Sequence, residues 1–292
     1  MIRKKPSDRI YQAIIYTALT LLAFSTLYPF IYFLAISFND GRDALKGGIY
    51  FWPRLWSLEN YAKAFEYPNM LNSFWITISR TASVTFISVF MTALMAYALT
   101  IKSLPFRRQL LFFFYFTTLF SGGLIPTFIL YKDIKIYSTF WVLLLPSIYS
   151  FWYTLIMRAY FNGIPSSLSE SARIDGANPW MIMLRIYMPL ALPSIATVAL
   201  FSIVGHWNAF FDGIIYINDA SKVPLQTYIQ RLVVEIRDTS MLTPDQIKRM
   251  NEVSSKTFNA AKIFVTMLPV MAIYPFLQRY FITGLVLGSV KE

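Results

Sequence analysis

The sequence predicts an all-α integral membrane protein with six membrane-crossing helices, organised as one domain over residues 1–292. Three observations carry this. Of the residues, 56% are hydrophobic and only 14% charged. The mean hydropathy of +0.50 is far above that of a water-soluble domain. The apolar residues also fall into runs of about 20 or more, the length a helix needs to cross about 30 Å of hydrocarbon at about 1.5 Å per residue. Such a composition excludes an ordinary cytosolic enzyme or nucleic-acid binder. The formal charge of +11 is read as attraction to anionic headgroups and as a topology signal, not as a nucleic-acid footprint. With no cysteine and one histidine, disulfide, zinc-thiolate and iron–sulfur chemistry are excluded and little scope remains for any metal site.

The spans fall at 13–36, 73–99, 110–130, 139–157, 190–211 and 263–284. The first follows Arg3, Lys4, Lys5 and Arg9 but is too long for a signal h-region and lacks a small-x-small cleavage site, so it reads as an uncleaved first helix. Six crossings put both termini on one side. The basic N-terminus, with Lys102, Arg107 and Arg108 between the second and third spans, makes that side cytoplasmic. Lys and Arg divide about evenly between the two sides, over shorter segments inside. Acidic residues crowd the outside but count for little in insertion.

Two outer loops stand out. Residues 37–72 carry Tyr50, Phe51, Trp52, Trp56, Tyr61, Phe65 and Tyr67. These rings suit either an interfacial helix starting near Ser57 in the aromatic belt, or stacking on sugars or docking of a protein. Residues 212–261 form the longest polar stretch, where Thr243, Pro244 and Gln246 give helix-start signals. A partner or lid role and a plain solvated loop both remain open for it.

Between the fourth and fifth spans, residues 164–189 are too polar to cross a membrane and too apolar for a simple loop. Ser167 with Glu170 offers a capping box, Gly176 a left-handed stop, and Asn178 with Pro179 a second helix start, with Pro189 as its end. The second helix bears Trp180, Met181, Met183, Leu184, Ile186 and Tyr187. That is more apolar surface than one short helix can hide, so it is either a docking face or a pair of helices resting on headgroups.

Glu170-Ser171-Ala172, three residues, Gly176, nine residues, and Ile186-Tyr187-Met188-Pro189 together resemble the EAA loop of the membrane permeases of ABC importers, E-A-A-x3-G-x9-I-x-L-P. Ser171 and Met188 depart from that pattern conservatively. ARIDGA at 172–177, including Asp175, resembles the carbohydrate-uptake branch typified by the smaller maltose permease subunit. SLENYAKAF at 57–65, Trp207-Asn208 with Phe210, Pro224-Leu225 and QRYFITGLVLGSVKE extend the likeness over nearly the whole chain. LFSGGLIPTFIL at 119–130 is similar to a subgroup handling complex, often acidic oligosaccharides such as alginate or pectin fragments.

The resemblance implies a cytoplasmic coupling-helix (EAA) loop in a bacterial cytoplasmic (inner) membrane. In it Glu170, Ser171, Ala172, Asp175, Gly176, Trp180, Met183, Ile186 and Pro189 serve ATPase coupling: Glu170 by a polar contact, Gly176 by the turn, the second helix by its apolar face. It implies a second, longer homologous permease, two ABC ATPase subunits carrying ATP and Mg, and an extracytoplasmic solute-binding protein on the outer loops. The chain has no G-x-x-x-x-G-K-[ST] phosphate loop, in keeping with ATP hydrolysis by separate subunits.

An intramembrane hydrolase would need a catalytic set, and an ion-coupled transporter a carboxylate within the spans. The six spans offer neither, leaving a neutral-sugar importer as the nearer alternative. The polar groups that do fall within them are Arg80, His206, Trp207 and Asn208. Arg80 either snorkels to the outer headgroups or takes a uronate carboxylate while Trp207 stacks on the ring. His206 is either a hydrogen-bonded packing residue or a ligand.

Overall fold

The computed structural model describes residues 6–66, 69–237 and 255–287. Described secondary structure is helical throughout, with one isolated bridge between Asn39 and Trp56. In chain order the helices are α1 (Pro6–Ser37), α2 (Gly41–Ala44), α3 (Glu59–Glu66), α4 (Met70–Thr100), α5 (Arg107–Leu119) and α6 (Leu124–Asp133). They continue with α7 (Phe140–Ser147), α8 (Phe151–Asn162), α9 (Ser166–Ile174), α10 (Pro179–Leu190), α11 (Leu192–Asn208), α12 (Phe211–Tyr216), α13 (Leu225–Arg237) and α14 (Ser255–Leu287).

Ile10–Ser37 and Met70–Thr100 are long and apolar enough to cross a bilayer unbroken. Three further stretches qualify among the described residues only if each bent pair is one span. The expected straight crossing at 110–130 is instead broken between α5 and α6 by 109°. The cause is local: the chain turns extended at Phe120 (φ −118, ψ 131), and Gly122 and Gly123 lie in the break, with Gly123 at φ +82 immediately before α6. The stretch 139–157 bends by 41° after Pro146, whose ring cannot continue the preceding turn. An 82° bend at Ala191 separates α10 from α11. Pro189 therefore does not end the α10 helix as the sequence suggested. The residues before it open into a π turn, Met183–Tyr187, in which the Met188 amide bonds to the Met183 carbonyl, and the helix runs on to Leu190. Pro189 has no amide to give the carbonyl four residues back and its ring crowds that group, which the wider turn accommodates.

Internal contacts gather the chain into two sets. One comprises the residues up to Pro68 with Val234–Leu268. In it a polar knot closes the loop after α1. Asn39 Oδ1 accepts the amides of Arg54 (2.7 Å) and Leu55 (3.0 Å). Asn60 Nδ2 donates to the carbonyls of Ser37 and Asn39. Arg54 Nε donates to Asp43 at 3.0 Å. The Asn39 amide hydrogen bond first, and then Arg54, hold the Asp43 carboxyl below its ordinary pKa. Ser57 accepts the Glu59 amide and caps α3.

The other set runs from Asn69 to Val233 and takes the remainder of α14. Its centre is α4 packed on α8 and α11. Small residues on α4 let the backbones approach: Ser73, Thr77, Thr81, Ser88, Thr92 and Ala96 are all buried. Thr85 Oγ1 donates to Ser202 Oγ across to α11 at 3.0 Å. Where α4 ends, Arg107 Nε (2.7 Å) and Arg158 Nε (3.2 Å) both donate to the Leu99 carbonyl, placing two cations on a helix C-terminus.

Candidate functional site: the helix pair 166–190

The α9–α10 pair is built from local signals. Gly176 has φ +84. Its amide donates to the Arg173 carbonyl (3.0 Å) and that of Ala177 to the Ala172 carbonyl (2.8 Å), a Schellman stop. Asn178 then starts α10, its Oδ1 accepting the Met181 amide at 2.9 Å with Pro179 in the first turn. The expected capping box of Ser167 and Glu170 does not form. The helix begins at Ser166, so Ser167 lies within its first turn, and no side chain caps it. Its short polar side chain cannot serve as N-cap from there.

The two faces of α10 are unlike. Ile182, Met183 and Tyr187 are buried with Tyr97 of α4 and Met157 and Phe161 of α8. The Tyr187 ring meets Tyr97 edge-on at 5.0 Å and Phe161 at 5.3 Å. At roughly 1.5–3 kcal/mol per fully buried large apolar side chain, this wedge fixes α10 to the spans. Met183 is therefore an anchor and not part of an outward docking face; the π turn and the inward wedge place it inside. Ile186 and Ala172 also pack partly against this core. The opposite face is open: Trp180 is 53% exposed, Leu184 47%, and Ile174 at the end of α9 87%. Glu170, Ser171, Asp175, Gly176 and Pro189 are exposed beside them. A pair with one side wedged into the spans and the other apolar and exposed can transmit a push from a partner to the bundle.

The second group of sequence candidates lies toward the Met70 end of α4. Arg80 does not snorkel. It is 1% exposed and its guanidinium takes Asp212 in a two-pronged ion pair. Trp207 is 4% exposed and its ring meets Phe74 edge-on at 6.0 Å, so it is packing and not a surface for a sugar ring. Asn208 is exposed and donates to the Val204 carbonyl of its own helix, while His206 is half-buried in the last turn of α11. Asp212 was missed by reading the spans alone. The usable signal was that a buried arginine needs a counter-charge, and Asp212 is the first acid after the fifth apolar run. No cluster of three or more metal-ligating side chains exists among the described residues.

An all-helical chain with membrane-length apolar helices and a half-exposed helix pair wedged into them defines a membrane component of a larger machine. The chain belongs to the family described as binding-protein-dependent transport system inner membrane component, which it matches over residues 86–287. It is 36% identical to the polygalacturonan/rhamnogalacturonan transport system permease protein YtcP of Bacillus subtilis strain 168, over 97% of this chain and 99% of that one. It is 30% identical to the inner membrane ABC transporter permease protein YcjP of Escherichia coli K12, over 94% and 95%. Among solved structures it superimposes with a TM-score of 0.88 and 28% identity on a chain of a bacterial ABC transporter involved in the import of the acidic polysaccharide alginate, covering 96% of this chain and 100% of that one. The protein is thus a permease subunit of an ABC importer, a non-catalytic transport component of the inner membrane.

Proposed function

We propose that this chain is one of two homologous permeases in an importer of acidic oligosaccharides, and that α9–α10 is its EAA coupling element. One observation carries the coupling assignment: the same short helix wedges Ile182, Met183 and Tyr187 into the spans while holding Trp180 and Leu184 out. A separate ATPase subunit, loaded with ATP and Mg, grips that outer face. Glu170 and Asp175 supply polar contacts at its edge, and the wedge carries the movement to α4 and α8. In this reading the chain crosses the membrane six times with both termini and α9–α10 in the cytoplasm, and a solute-binding protein delivers cargo at the opposite side. Cargo that is acidic, such as pectin- or alginate-type fragments, is supported by the cargo named for YtcP, a relative at 36% identity, and by that of the matching structure. The two-pronged pairing of Arg80 with Asp212 removes Arg80 as the group that would bind a uronate, so the acidic reading rests on those likenesses.

The test is purification of the assembled complex, followed by ATPase assays with its solute-binding protein loaded with oligogalacturonide, oligoalginate or neutral oligosaccharides. Stimulation by a uronic cargo alone is expected. Stimulation only by a neutral sugar would replace the acidic cargo, and failure of any ATPase to co-purify would remove the coupling assignment.

A further inference from the structure

Helix α4 is 31 residues long, about 46 Å, which exceeds a hydrocarbon core of about 30 Å by roughly 16 Å. Its Met70 end is where residues 210–231 fold back on it. Three links hold them. Asn72 Nδ2 donates to the Ser221 carbonyl, Thr77 Oγ1 accepts the Leu225 amide at 2.8 Å, and Arg80 pairs with Asp212. The segment is also tied to itself. Thr227 Oγ1 donates to the Phe210 carbonyl at 2.8 Å, and Arg231 donates to the carbonyls of Ile217 (2.8 Å) and Gly213 (3.3 Å). Ile217, Val223 and Leu225 are buried.

We propose that Arg80 and Asp212 are a positioning pair that makes 210–231 a fixed rim on α4, moving with it through the transport cycle instead of lifting as a lid. The links at 72, 77 and 80 spread over more than two turns, so peeling the segment away must break all three. The innermost is the strongest constraint, because separating it strands a guanidinium with almost no access to water. Nε of Arg80 already has no hydrogen-bond partner among the described residues, so the carboxylate is its main compensation. Cargo would then pass a rim of constant shape, and gating would fall to helices elsewhere.

The chain has no cysteine, so Leu71→Cys and Ala220→Cys, both at exposed positions, can be spin-labelled without background in a complex whose partner subunits are also cysteine-free. Pulsed electron resonance should give the same label–label distance in nucleotide-free and ATP–vanadate-trapped complexes. Arg80→Met should broaden it. Arg80→Lys, and the double variant Arg80→Met with Asp212→Leu, should keep it narrow. A shift of several ångströms between the two states would make the segment a lid. An unbroadened Arg80→Met distribution, or a broad double variant, would remove the pair's positioning role; if Arg80→Met does not assemble, Asp212→Asn, which strands the same guanidinium, decides the matter, a broad distribution supporting the role and a narrow one removing it.

Discussion

Gly176 shows how much one backbone angle determines. At φ +84 no neighbour crowds its Cβ position, so a side chain there is opposed by conformation alone. Gly176→Val should cost about 1–2 kcal/mol locally and turn α10 away from its partner. The complex should still assemble in the membrane, with cargo-stimulated ATP hydrolysis reduced severalfold. Unchanged stimulation would show that the turn does not set coupling. Asp43 makes a second prediction. Its folded pKa is depressed, so the stabilisation it brings is present above the ordinary value near 3.9 and is lost as pH falls through the lower folded pKa. A spin label on Leu55→Cys should therefore stay immobile down to about pH 4 and loosen only below that. In Asp43→Asn it should be mobile at every pH, because the partner of Arg54 has lost its charge.

Among the elements, the rim formed by α12 and α13 is packed most tightly at Gly213. A Cβ there would sit 2.1 Å from Thr227 Oγ1, 2.9 Å from Thr227 Cβ and 3.0 Å from Pro224 Cδ. Gly213→Ala should destabilise by about 1–3 kcal/mol, read as a lower thermal midpoint of the purified complex. Adding Thr227→Ala should recover part of that loss, since it removes the nearest atom. An alanine variant of normal stability would mean that the two helices are not in register as described. At this scale the sequence was an uneven guide. Asn178–Pro179 and Gly176 were legible because caps and stops are made by neighbouring residues. The 109° break at Gly122–Gly123 and the π turn before Pro189 were hidden inside runs whose apolar count reads as continuous. The start signals at Thr243, Pro244 and Gln246 lie outside the described residues.

For the whole molecule, the proposed topology puts α10 and the 210–231 rim on opposite sides of the membrane. An impermeant thiol reagent applied to intact cells, or to spheroplasts where an outer membrane intervenes, should label Ala220→Cys. It should spare Asn178→Cys until the membrane is opened. The reverse pattern would invert the orientation drawn from the basic N-terminus.

The sequence by itself determined the class of molecule. Apolar run length and the scarcity of charge leave no aqueous fold open to this chain, and the resemblance of the spacing around Glu170 and Gly176 to the EAA loop is what motivates the proposed coupling role. Tertiary structure decided which side chains face where. Met183 and Trp180 lie three residues apart on one short helix, yet one is buried and the other exposed, because Tyr97 of α4 and Phe161 of α8 pack against one face of it only. Arg80 and Asp212 are 132 positions apart. Hydropathy assigns each residue to its own segment and cannot register that a buried charge in one has found its opposite in another; only the packing of α4 against the rim brings them together.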